Sequence, residues 1–246
     1  MEMPDEKIHY AVKGGVASLQ LDDGKANAMQ IAWCDEMHAA LDRAEKDAVH
    51  AVVIHGRERF FSAGLDLKLL PTLPPQELRR STDHFMATMK RVFLFPKPVI
   101  AAAAGHAIAG GMMLYLAADL RLASAGSDAS FGLNEATSGI PLLGGTAGIC
   151  QYAIPREHHT ELILHGRMID AVGTHARGIT HDLVRDTADL LPRAFARADE
   201  LLDLDPTAYR INKHILRESA WRHAVSAAAD YEGEAPSSNV FERIRR

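Results

Sequence analysis

Residues 99–124, VIAAAAGHAIAGGMMLYLAADLRLAS, decide the fold class. From Pro98 to Ala118 the chain has no Asp, Glu, Lys or Arg. Length alone would let such a run cross a bilayer. Pro98, Gly105, His106, Gly110 and Gly111 interrupt it, however, and many of its residues are alanine. The reading it supports is a buried strand over Val99–Ala103, a glycine turn, a buried helix over 110–118 and a second strand over 120–123. Strand, helix and strand in series are the parts of a largely buried parallel sheet covered by helices. No membrane span is expected.

The same alternation extends towards the N-terminus. His9–Val12 and Val16–Leu21 read as strands joined by a turn at Gly14-Gly15. DDGKANAM (22–29) is a loop, and Ile31, Cys34, Met37 and Leu41 form one stripe of a helix. Ala51–Ile54 is another buried strand, followed by the loop GRERFFSAGLDLK (56–68) and the connector PTLPP (71–75). Leu78, Phe85, Met89 and Val92 mark a second helix that stops before Phe95-Pro96. From about Thr146 onward the pattern is mostly helical, with breaks near Pro155, Gly166, Gly173–Gly178 and Pro206.

The bulk numbers fit one large domain, or one domain with an appendage: 246 residues, 47% hydrophobic and 24% charged. A net charge of −5 gives no field for nucleic acid or an anionic membrane. Cys34 and Cys150 make no disulfide framework and read as buried apolar residues in a reducing compartment. The polar, acidic start MEMPDEKIHY is not a signal peptide, and a cytoplasmic location is expected.

Chemistry has three candidate places. FSAGLD (61–66) and GHAIAGG (105–111) each follow a strand and lead into a helix. Glycine permits close approach of a ligand to the backbone, and the first amides of a helix lack internal partners. Two such ends facing each other would aim two N–H groups at one oxygen, an oxyanion hole. Plain packing also accounts for either segment alone. The third place is SFGLNEATSGIP (130–141), which sets Glu135 among small and apolar residues, as a helix-capping acid or as a catalytic one kept from water. No phosphate loop, dinucleotide fingerprint or G-x-S-x-G elbow is present. His158, His159 and His165 lack any H-E-x-x-H or Cys/His spacing, so no metal is expected. His106 lies inside the second glycine segment, as a wall residue of a site there or as a satisfied imidazole.

FFSAGLDLK, GHAIAGGMMLYLAADLRLAS, FGLNEATSGIP and HGRMIDA, in this order and at these separations, resemble the crotonase (enoyl-CoA hydratase/isomerase) superfamily. The likeness runs from the opening strands to about Val184. It implies an α/β fold, the crotonase (ClpP-like) spiral of ββα units, over residues 1–190. It also implies a C-terminal helical region over 191–246 that builds a homotrimer or a dimer of trimers. The implied substrates are acyl-CoA thioesters, with no further cofactor, and the shared step holds a thioester enolate on two backbone amides. By position those amides belong to Leu65, after Ala63-Gly64, and to Gly110, beside Gly111. Lys25, Ala26 and Ala28 match the loop along the adenine and pantetheine, with Ala63, Asp66 and Lys68 beside it. Lys25 and Lys68 would supply charge to the phosphates, although simple solvation also explains exposed lysines.

Hydratases of that superfamily use two glutamates. Glu135 matches the second, and Met113 stands where the first is expected. A thioether neither accepts nor delivers a proton at ordinary pH. Superfamily members that move a double bond manage with one glutamate, which takes a proton from C2 and returns it to C4. The resemblance therefore implies an enoyl-CoA isomerase with Glu135 as the single acid/base. It leaves open a hydratase, lyase or hydrolase in which His106, Asp66 or the 71–75 loop replaces the absent acid, and a non-catalytic CoA- or RNA-binding member.

Overall fold

A computed structural model describes residues 6–142 and 144–231. The chain opens with the hairpin β1 (Ile8–Lys13) and β2 (Val16–Leu21), turned by Gly14 and Gly15, both at positive φ. The two-residue β3 (Ala28–Met29) and the helix α1 (Ile31–Lys46) follow, α1 burying Trp33, Cys34, Met37 and Leu41.

A three-part unit then repeats. The first copy is β4 (Ala51–His55), β5 (Phe60–Ser62) with the short β6 (Gly64–Leu65), and α2 (Pro75–Phe93). The second is β7 (Val99–Ala103), β8 (His106–Ile108) and α3 (Gly110–Ala117). The third is β9 (Leu120–Ser124), β10 (Ser130–Gly132), α4 (Glu135–Ser138) and α5 (Gly145–Ala153). In each copy the first strand joins a six-stranded sheet and the second joins a smaller one. β4, β7 and β9 lie side by side and parallel in the first sheet; β5, β8 and β10 do the same in the second. The chain therefore winds as a spiral of ββα turns, each advancing both sheets by one strand.

Further on come β11 (Ile169–Asp170), α6 (Ala171–Ala176), β12 (Asp182–Val184), α7 (Leu190–Asp199) and α8 (Pro206–Ala229). β12 completes the large sheet beside β9, and β11 the small one beside β10.

β7 is buried along its whole length, and all eight residues of α3 are buried. α3 packs inside the spiral, where Tyr115 meets Phe61 edge-on at 5.9 Å and Phe131 at 5.4 Å. The other face of the large sheet is covered by α7 through Leu190, Ala194 and Ala198. The division expected near residue 190 thus falls at the start of a helix that packs on the sheet.

The last helix docks on its own chain. Arg217 of α8 donates to Phe93 O at 2.9 Å and Ala117 O at 2.8 Å, capping carbonyls at the ends of α2 and α3. Asp119 accepts from Lys213 at 2.7 Å and pairs with Arg217 at 2.9 Å. Ile211, Ile215 and Val225 remain exposed on α8. The terminal EGEAPSSNVFERIRR lies outside the described residues.

Four segments differ from the sequence reading. The loop 22–29 contains β3, and the glycine turn after β7 contains β8. The loop 56–68 contains β5 and β6, and the mostly helical stretch after Thr146 contains β11 and β12. Strands of two or three residues carry no readable period; neighbouring strands, not local propensity, make them.

Candidate active site

The two glycine segments meet. Gly64 has φ +82, and a Cβ placed on it would lie 2.6 Å from Gly110 N and 3.1 Å from Ile108 O. The backbones approach so closely that no side chain fits between them. Asp66 N–H donates to Met29 O at 3.3 Å in the β3–β6 pairing. Successive amides of an extended chain point to opposite sides, so Leu65 N–H turns away from β3. Gly110 is the first residue of α3, and the helix ladder begins with Met113 N–H on Ala109 O at 2.9 Å. Gly110 N–H is thus one of the first amides, which have no acceptor within the helix. Ala109, with φ 53 and ψ −122, holds an uncommon conformation for a residue with a side chain and aims that amide.

One hydrogen bond carries the geometry onward. Ala109 N–H donates to Gly132 O at 2.9 Å, tying the start of α3 to the end of β10. Three residues later comes Glu135, the first residue of α4. It is 8% exposed, and its Oε2 has no hydrogen-bond partner. Burial pushes its pKa from the ordinary 4.5 to about 7, opposed only by a hydrogen bond from its own backbone amide. No neighbouring charge contributes among the described residues. Cys150 of α5 is fully buried and close enough to feel the Glu135 charge, which adds to burial in pushing its thiol pKa up. Met113 is buried in the main core, and Leu142 packs at its edge.

The loop expected along coenzyme A is held by Asn27, at φ 52 and fully buried. Its Nδ2 donates to Leu21 O at 2.9 Å and Phe61 O at 3.1 Å, and its own carbonyl accepts from Ser62 Oγ at 2.7 Å. Ala63 N–H donates to Ala26 O at 3.0 Å, and Ala28 pairs with Gly64. Lys25, Ala26, Ala28, Ala63 and Gly64 are therefore brought together around the glycine turn. Asp66 accepts from Gln30 at 2.7 Å and from the amides of Lys68 and Leu69. Burial alone would raise its pKa; these donors outweigh it and hold the carboxyl below its ordinary value. Lys68 is exposed.

A cleft of about 450 Å³ opens beside this loop, lined by Gly24, Lys25, Ala26, Arg57, Glu58, Arg59 and Phe60. Arg57 and Arg59 are cations that the sequence reading did not single out, although GRER (56–59) spells them. His106 is engaged elsewhere: its Nδ1 accepts the Ser130 N–H at 2.9 Å, and its ring packs on Phe60 at 5.2 Å. It joins β8 to β10. Among the described residues no three His, Cys, Asp or Glu are placed to hold a metal ion, and no helix is long and apolar enough to cross a membrane.

The enoyl-CoA hydratase/isomerase family model matches residues 11–236. The chain belongs to that family. It is 34% identical over 202 residues to a probable enoyl-CoA hydratase of Bacillus subtilis, covering 81% of this chain and 77% of the relative. It is 33% identical over 218 residues to the carnitinyl-CoA dehydratase of Proteus mirabilis, covering 87% and 82%. A solved Mycobacterium tuberculosis protein, described once as an enoyl-CoA isomerase and once as a probable enoyl-CoA hydratase, is similar in structure. Its TM-score is 0.84 at 28% identity, with 94% of this chain and 99% of that one covered. The spiral of ββα turns is the crotonase fold, and the chain is an enzyme of the enoyl-CoA hydratase/isomerase type.

Proposed function

We propose that this enzyme shifts the double bond of an enoyl-CoA thioester, with Glu135 as its single acid/base. The observation that carries this reading is the solitary state of Glu135: buried, one oxygen unpartnered, and raised to about 7 with no second charge acting on it among the described residues. A base poised there is half-ionised near neutral pH, suited both to taking a proton and to giving it back. Leu65 and Gly110 N–H would hold the thioester oxygen as negative charge develops. Glu135 would take a proton from C2, leaving a dienolate, and deliver it to C4. Met113 supplies no second proton-transfer group.

Lys25, Arg57 and Arg59 would receive the phosphates of coenzyme A in the cleft beside the loop. Ala26, Ala28, Ala63, Gly64 and Asp66 would shape the path of pantetheine, with Lys68 and Gly111 at its edges. No further cofactor enters the scheme. The exposed apolar side chains of α8 would be covered in a homotrimer or a dimer of trimers, and the enzyme would work in the cytoplasm.

Hydration of a 2-enoyl ester is the second reading, favoured by the hydratase name of the Bacillus subtilis relative. Of the groups considered as a replacement acid, His106 and Asp66 already have hydrogen-bond partners. Purified enzyme incubated separately with 3-enoyl-CoA and 2-enoyl-CoA tests the proposal. Conversion of the 3-enoyl ester to the 2-enoyl ester, lost in Glu135→Gln, is expected. Fast hydration of the 2-enoyl ester without isomerisation overturns it.

A further inference from the structure

An acyl chain whose thioester oxygen rests between Leu65 and Gly110 must pass Glu135, since the base has to reach C2 and C4. The helix packed against both the oxyanion segment and the start of α5 is α2. Its Phe85 is buried against the oxyanion segment: a Cβ on Gly110 would meet the Phe85 ring at 3.0 and 3.1 Å. The next residue, Met86, reaches the other side. A Cβ on Gly144 would lie 2.7 Å from the Met86 methyl carbon. Gly144, at φ +59, precedes α5 and leaves the methyl room that a side chain would take.

The Gly144 side of this contact is fixed. A Cβ on Gly145 would lie 2.1 Å from the Trp221 ring, and one on Gly148 would lie 2.5 Å from Ala220 O, so α8 braces α5 from behind. Met86 is the yielding partner. It is half-buried, and methionine has three rotatable bonds and a polarizable sulfur.

Resting on the reading above, we propose that Met86 is the end wall of the acyl channel and limits the enzyme to short hydrocarbon acyl chains. Phe85 and Met86 are neighbours on α2 with Cα atoms about 3.8 Å apart, so the stretch between the two contacts takes only a short hydrocarbon. Beyond that length the chain meets the thioether and the Gly144 backbone.

The test is kcat/KM over straight-chain C4, C6, C8 and C12 esters, in both the 3-enoyl and 2-enoyl series, for the wild type, Met86→Ala and Met86→Leu. The wild type should lose about tenfold or more between C6 and C12. Met86→Ala should raise the C12-to-C6 ratio about tenfold, while Met86→Leu, of similar volume, should keep it. If the alanine variant fails to fold, Met86→Phe replaces it and should lower the C6-to-C4 ratio. Equal use of C6 and C12 by the wild type, or a ratio that does not move with the side chain, overturns the proposal. Glu135→Gln separates the two failures. If it leaves C4 turnover intact, the site itself is misassigned; if it abolishes turnover while the ratio stays fixed, only the role of Met86 falls.

Discussion

Replacing Glu135 with glutamine should stabilise the fold while removing activity, by an amount that depends on pH. Burial moves this carboxyl from 4.5 to about 7, and each unit of pKa is worth about 1.4 kcal/mol. The folded pKa is raised, so the folded state binds the proton more tightly than the unfolded chain does. The protonated acid is tolerated below about 4.5, and stability is lost as pH rises through the window up to about 7. Holding the carboxylate buried then costs about 3 kcal/mol. Glutamine has no such charge. The advantage of Glu135→Gln over the wild type should therefore grow by about 2–3 kcal/mol between about pH 5 and about pH 8. For a chain of this length that amounts to an added Tm difference on the order of 4–12 °C. The assay is urea or thermal unfolding of both proteins at the two pH values, at one fixed protein concentration. A stability difference that does not change with pH refutes the claim that Glu135 is ionised in a desolvated position.

Three further outcomes follow from the same geometry. Gly64→Ala places a Cβ 2.6 Å from Gly110 N on a backbone at φ +82, so both amides shift and kcat should fall by about 10²–10³, read by steady-state kinetics. Asp119→Ala leaves Lys213 and Arg217 buried without their carboxylate and should cost about 3–5 kcal/mol in urea unfolding. Met113→Glu introduces the second carboxylate that hydration uses; about tenfold faster loss of the 2-enoyl absorbance than in the wild type is expected, with a second limb in the pH–rate profile.

How much of this was readable from the residues depends on where the signal sits. β7 and α3 were legible because full burial leaves a continuous apolar run with no charge to confuse it. Glu135 stood out for the same reason, an acid amid small and apolar residues. The two glycine segments could be suspected of facing each other; their approach depends on β6 pairing with β3 and on β8 lying beside β5, and strands that short leave no periodic trace. Asn27 shows the limit well. Nothing in KANA (25–28) announces that its asparagine is buried at positive φ and bonded to three segments. Cys150 and Met86 take their meaning from neighbours remote in sequence, which local pattern cannot supply. Arg57 and Arg59 were visible as charges, and only the cleft places them together beside Lys25.

The Trp221 ring resting on Gly145 has a consequence for biosynthesis. Chains emerge from the ribosome N-terminus first, so the spiral and Glu135 leave before the indole that clamps the wall behind them. A nascent polypeptide halted after α7 would hold Glu135, Leu65 and Gly110 yet lack the brace on α5. The wall formed by α5 is thus among the last parts of the fold to be secured as the chain is made.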